Sequence, residues 1–135
     1  GLVTQCKSLD IPFLEENPSV EDLDGKYDVI LDAIFGFSFS GEVRAPFDKV
    51  IENLKKTKTS IASVDIPSGW DVEKGNTIGS FEPQLLISLT APKICARQIT
   101  SARHFVGGRF VPKSLADRYE LNLPPYPSTD QCVEL

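Results

Sequence analysis

The chain has no methionine, one histidine (His104), one tryptophan (Trp70) and only three cysteines among its 135 residues. Without methionine it cannot open at its own initiator, so the expectation is a processed product or a portion of a longer chain, with any targeting segment upstream of Gly1. Cys6, Cys95 and Cys132 lie far apart and form no C-x-x-C pair. That excludes the usual zinc spacings and a full disulfide framework, and it suits reduced thiols. His104 has no serine or cysteine nucleophile motif beside it, so a hydrolytic triad finds no support and the ring reads as a packing or surface group. No apolar run approaches the ~20 residues that cross a bilayer, and the first residues lack a signal-peptide layout. Neither sign of charge forms a long run: 14 Lys and Arg face 19 Asp and Glu, for a net charge of −5. The electrostatic footprint of a nucleic-acid-binding arm is therefore missing.

What is present is enough for one ordinary core, since 41% of the residues are hydrophobic and the length suits a single domain. Residues 1–9 read as the end of a helix, residues 11–14 as a short strand, and residues 15–25 as an acidic, turn-prone loop. Residues 27–34 form a near-continuous apolar run around Asp32, the pattern of a strand covered on both faces. After Pro46, the residues Phe47, Val50, Ile51 and Leu54 recur at helical spacing and predict an amphipathic helix. Residues 60–66 and 85–89 are two further buried strands. Strand, helix, strand and strand imply an α/β fold with a parallel sheet. Residues 104–106 and 109–111 suggest one more strand, interrupted by a turn at Gly107 and Gly108. Residues 114–119 form one or two helical turns, and prolines 124, 125 and 127 impose an extended tail from about residue 121.

In such sheets, ligands settle beyond the carboxyl ends of the strands. Two loops qualify. The first runs through Gly36, Phe37, Ser38, Phe39, Ser40, Gly41 and Glu42, between a strand and a helix. Its G-x-x-x-x-G spacing is that of a phosphate-binding loop, but Glu42 and Val43 stand where Lys and Ser or Thr are required, so ATP hydrolysis is rejected. The second runs through Asp65, Ile66, Pro67, Ser68 and Gly69, where a carboxylate ends a buried strand and needs a partner. Asp32 and Asp65 end neighbouring strands and could face one crevice with the Ser68 hydroxyl, a set of oxygens suited to a hard cation. The alternative for each aspartate, a cap on a nearby loop or helix, stays open. Trp70 reads as a hydrophobic plug.

Residues 29–39 (VILDAIFGFSF) and 62–76 (ASVDIPSGWDVEKGN) closely resemble the NAD(P)H-hydrate epimerases of animals, also called apolipoprotein A-I-binding proteins, of the YjeF N-terminal domain family. The resemblance continues through residues 85–93 (LLISLTAPK), 107–112 (GGRFVP) and 121–127 (LNLPPYP), so it spans almost the whole chain. It implies a three-layer α/β/α, Rossmann-like domain of which residues 1–135 are the C-terminal portion. It also implies an isomerase that interconverts the R and S forms of hydrated NADH or NADPH, supplying an ATP-dependent dehydratase. By motif, Asp32 and Ser68 resemble ligands of a structural potassium ion, while residues 36–42 and Asp65 resemble contacts to the hydrated nucleotide. Asp65 is the candidate acid/base, because epimerisation at a hydroxyl-bearing carbon requires assisted proton transfer. A homodimer and an apolipoprotein A-I complex are implied partners, and the compartment is cytoplasmic, mitochondrial or secreted.

The alternative is a non-catalytic binding module, either an apolipoprotein A-I partner or an RNA-associated scaffold like those of enhancer-of-decapping proteins. The family's asparagine- and glycine-rich loop is absent from these residues, together with its first strands. A partial sheet is expected to expose strand edges and apolar faces. Residues 1–135 alone are accordingly expected to be inactive, and full turnover of NADH hydrate by the purified 135-residue chain would overturn that expectation.

Overall fold

A computed structural model describes all residues, 1–135. The elements in chain order are α1 (Leu2–Ser8), α2 (Val20–Lys26), β1 (Val29–Asp32), α3 (Phe47–Lys56), β2 (Ser60–Val64), β3 (Leu85–Leu89), a 3-10 helix (Ile94–Gln98), β4 (Arg103–Gly107), α4 (Lys113–Arg118) and β5 (Cys132–Glu134). The five strands form one sheet in the order β1-β2-β3-β4-β5. The first four run parallel, and β5 returns antiparallel beside β4. The α/β, Rossmann-like class expected from the sequence is the fold observed.

Alternation along the strands separates two faces. Ile30, Asp32, Ile61, Ser63, Leu86, Ser88 and Val106 share one side by register. There α3 lays Ile51 and Leu54 against Ile61 and Phe81, with Ile30, Ile34, Val43 and Val50 packed around them. Burying each such aliphatic side chain contributes about 1.5–3 kcal/mol relative to exposure. His104 lies on the same side, with its Nε2 2.8 Å from the Ser88 hydroxyl. Burial holds its pKa below the usual histidine value, in keeping with the packing role read from the sequence.

The other face is open. Val29 and Leu31 are 60% and 65% exposed, and Ala62, Val64, Ile87 and Leu89 are only half-buried. The expectation that residues 27–34 are covered on both faces is therefore corrected. β1 is an edge strand, and no element of this chain lies over Val29 and Leu31. Val29 and Leu31 thus leave an apolar strip of this face exposed.

Other local expectations also shift. Residues 11–14 form no strand, and Ile11, Phe13 and Leu14 are exposed. The acidic stretch after them is not all loop, because α2 forms over Val20–Lys26. Ser19 caps it by accepting from the Asp22 N–H at 3.1 Å, and Leu23 is buried. The segment 109–111 does not continue β4, because Gly108 and Arg109 both adopt positive φ. The tail is largely irregular, but it ends in β5, which pairs Cys132 with Gly107.

The long connection between β2 and β3 contains no helix and is held by buried groups instead. Trp70, 1% exposed, packs with Ile66 and Cys95, and its Nε1–H donates to the Phe81 carbonyl at 3.0 Å. Trp70 is thus the plug anticipated from the sequence. Trp70→Phe is expected to lower the unfolding free energy by about 1–3 kcal/mol through loss of that donor. Urea denaturation measures this, and an unchanged midpoint would show that the indole N–H does not hold the connection.

Candidate active site

The carboxyl ends of β1 to β3, together with the turn after β4, converge on one cavity of about 690 Å³. Ala33, Phe35, Gly36 and Phe37 line it after β1; Val64 and Asp65 after β2; Leu89, Thr90, Ala91, Pro92 and Lys93 after β3; and Phe110 after β4. This is where a parallel sheet places its ligands, and the volume suits a small organic molecule.

Asp65 is the acidic group of the cavity. It follows β2 with φ of 74°, a left-handed conformation that a non-glycine residue adopts at a cost. The ladder holds it there, since its N–H donates to the Ile87 carbonyl at 2.8 Å. Its carboxylate is buried and partnered on both oxygens: Oδ2 accepts from the Phe37 N–H at 3.0 Å, and Oδ1 forms an ion pair with Lys93 Nζ. Lys93 Nζ also donates to the carbonyls of Leu89 at 2.8 Å and Ala91 at 3.2 Å, so all three of its protons have acceptors. A buried carboxylate without such a partner would be strongly disfavoured. Thr90, at the matching position after β3, also adopts positive φ, at 68°. Two backbones in sparsely populated conformations flanking one cavity are a feature associated with functional sites.

Sequence reasoning did not assign a role to Lys93, although residues 85–93 carried part of the resemblance. The available signal was positional: a lysine four residues past β3 faces the same crevice as the aspartate that follows β2.

Asp32 and Ser68 come together as expected. The Ser68 hydroxyl donates to Asp32 Oδ1 at 2.5 Å, and the Ser68 N–H and the Ser63 hydroxyl donate to Oδ2, each at 2.8 Å. The Ser68 hydroxyl in turn accepts from the Phe35 N–H at 3.1 Å. Both residues are fully buried. Their fit to a potassium ion is partial. They offer two adjacent oxygens of the right chemistry, but a hard cation gathers several. These two already bond to each other, and no buried side-chain polar atom is left without a partner. A cation here would have to displace the Ser68 to Asp32 hydrogen bond.

The expected substrate loop divides. Gly36 and Phe37 reach the cavity, and Phe37 is 65% exposed. Phe39 turns back instead, stacking on Phe35 with ring centroids 4.5 Å apart after its N–H closes a turn onto the Gly36 carbonyl at 3.0 Å. Ser38, Ser40, Gly41 and Glu42 are exposed and do not line the cavity.

Comparison with known proteins bears on the fold as a whole. The family model described as YjeF-related protein N-terminus matches residues 3–95. The crystal structure of yeast ynu0, YNL200c, superposes with a TM-score of 0.88 at 42% sequence identity, covering 99% of this chain and 58% of the yeast chain. The chain thus spans 58% of the length of the yeast protein it matches.

Ser68→Ala removes a hydrogen bond to a buried carboxylate and strands the Phe35 N–H. A loss of about 1.5–3 kcal/mol is expected. Thermal or urea unfolding checks it, and a loss near zero would show that Asp32 is held by Ser63 and the backbone alone.

Proposed function

We propose that this chain, which belongs to the YjeF-related protein N-terminus family, forms the catalytic-aspartate part of an isomerase that interconverts the R and S forms of hydrated NADH or NADPH. The observation that carries this reading is the buried carboxylate of Asp65, held ionised-pair fashion against Lys93 inside an otherwise apolar cavity at the strand ends.

The chemistry follows from that placement. The hydrated ring bears a hydroxyl on a carbon bonded to the ring nitrogen. Inverting that centre requires the loss and return of water or an opening of the ring, and either route needs one group that takes and returns a proton. In the ring-opening route, the Asp65 carboxylate takes the hydroxyl proton as the C–O bond becomes a carbonyl and the C–N bond breaks. The bonding pair goes to nitrogen, which receives the proton from Asp65. Rotation about the adjacent C–C bond presents the other carbonyl face, and closure runs the same transfers in reverse. Lys93 keeps the carboxylate pointed into the cavity, and the Phe37 N–H fixes its second oxygen. The apolar walls accept the ring and exclude bulk water.

The potassium ion implied by the resemblance would rest on Asp32 and Ser68, with its remaining oxygens from outside this pair. Its part would be structural, and no chemical step passes through it. The ATP-dependent dehydratase that consumes the S form is the functional partner this reading implies.

The test is epimerisation of R-form NADH hydrate by the full-length protein, coupled to an S-specific dehydratase. Asp65→Asn is expected to lower kcat by about 10²–10⁴-fold with KM little altered. A variant that keeps most of the wild-type rate would remove Asp65 from the chemistry.

A further inference from the structure

Phe110 is 64% exposed, yet it lines the same cavity as Asp65. Phe37, 65% exposed, is the other large aromatic face left open there. Exposure of two aromatic rings at the mouth of one cavity is costly in water and is relieved by a ring that enters between them.

The position of Phe110 is built rather than incidental. Gly108 and Arg109 adopt φ of +110° and +45° in succession, turning the chain sharply at the end of β4. A Cβ at residue 108 would overlap the Phe110 ring, so the ring lies directly on the glycine backbone. The turn is then gripped by the C-terminal segment. Gly108 N–H donates to the Gln131 carbonyl at 3.0 Å, and Arg109 Nη1 donates to the carbonyls of Ser128 at 2.9 Å and Asp130 at 3.2 Å. The guanidinium also stands 5.5 Å from the centre of the Tyr126 ring. Beyond that, β5 locks the segment to β4.

We propose that Phe110 is a specificity-determining wall of the cavity, stacking on the nitrogen heterocycle presented to Asp65, and that Arg109 is the positioning residue through which the C-terminal segment sets that wall. The proposal rests on the epimerase reading for the identity of the ring. Stacking that is equal in ground and transition states changes KM and leaves kcat alone.

In the full-length protein, Phe110→Ala is expected to raise KM for NADH hydrate about tenfold with kcat within about twofold, and Phe110→Tyr to restore KM. Arg109→Ala is expected to raise KM similarly, with recovery in Arg109→Lys, whose ammonium can still donate to the tail carbonyls. If Phe110→Ala leaves KM within about twofold while Asp65→Asn is inactive, the wall is overturned and the epimerase reading stands. If Arg109→Ala leaves KM unchanged while Phe110→Ala raises it, the positioning role is overturned. If Asp65→Asn turns over normally, the epimerase reading fails, and calorimetric titration with oxidised NAD decides the wall separately. Weaker binding by Phe110→Ala of about fivefold or more supports it, and equal binding overturns it.

Discussion

The buried carboxylate of Asp32 is the constraint on which the site depends. It ends β1, and it collects two hydroxyl donors and one backbone donor from β2 and the loop that follows. Through the Ser68 hydroxyl, the same knot reaches the Phe35 N–H. Two chain segments are thereby fixed to each other: the one that carries Phe35, Gly36 and Phe37, and the one that carries Asp65. The hydrogen bond from the Phe37 N–H to Asp65 spans the same two segments a few residues further on. Without the first tie, the second would have to order both loops unaided, at a cost of about 1–2 kcal/mol of backbone entropy per residue fixed.

Asp32 and Asp65, at the ends of neighbouring strands, receive different work. Asp32 is saturated by neutral donors and faces the α3 side of the sheet, where it braces the structure. Asp65 lies one strand over, past the end of β2, with its side chain at the cavity wall and a cation beside it. A carboxylate held by one ammonium and one amide at a cavity wall keeps more lone pairs open to a further donor than one buried among three short hydrogen bonds. The difference in partners, rather than in residue type, separates the brace from the candidate acid/base.

Much of this was legible in the sequence because it follows from periodicity. The apolar runs gave β1, β2 and β3, the spacing of Phe47, Val50, Ile51 and Leu54 gave α3, and Asp65 at the end of β2 pointed to the crevice; Asp32, expected to face the same crevice, turns instead to the α3 side. The less legible parts depend on long-range pairing. α2 was obscured by its acidic composition, although Ser19 with Asp22 three residues on is a helix-start signal. The 3-10 helix at Ile94–Gln98 is set by the Cys95 N–H bonding to the Val72 carbonyl, 23 residues earlier in the chain, a contact no local pattern encodes. β5 is a short strand that exists only because β4 offers it an edge. Lys93 escaped notice for a similar reason, since a lysine in a loop is ordinary until its acceptors are known. The open face beyond Val29 and Leu31 could not be read from those residues either, because an apolar strand looks the same in sequence whether or not its second face is covered.

The charge in the cavity also limits which ligands can enter it. Lys93 is the only cation in the lining, and its three protons are already engaged by Asp65, Leu89 and Ala91. The pair is neutral overall, so the cavity floor offers no attraction to a pyrophosphate, and the chain's net charge of −5 supplies no broad steering of anions. An uncharged ring bearing a hydroxyl can replace water there without breaking the ion pair, whereas a phosphate would compete with Asp65 for Lys93 and leave a carboxylate buried without its partner. On the proposed reading, the ligand inserts its ring first and keeps its phosphates at or beyond the mouth, where Phe37 and Phe110 are exposed.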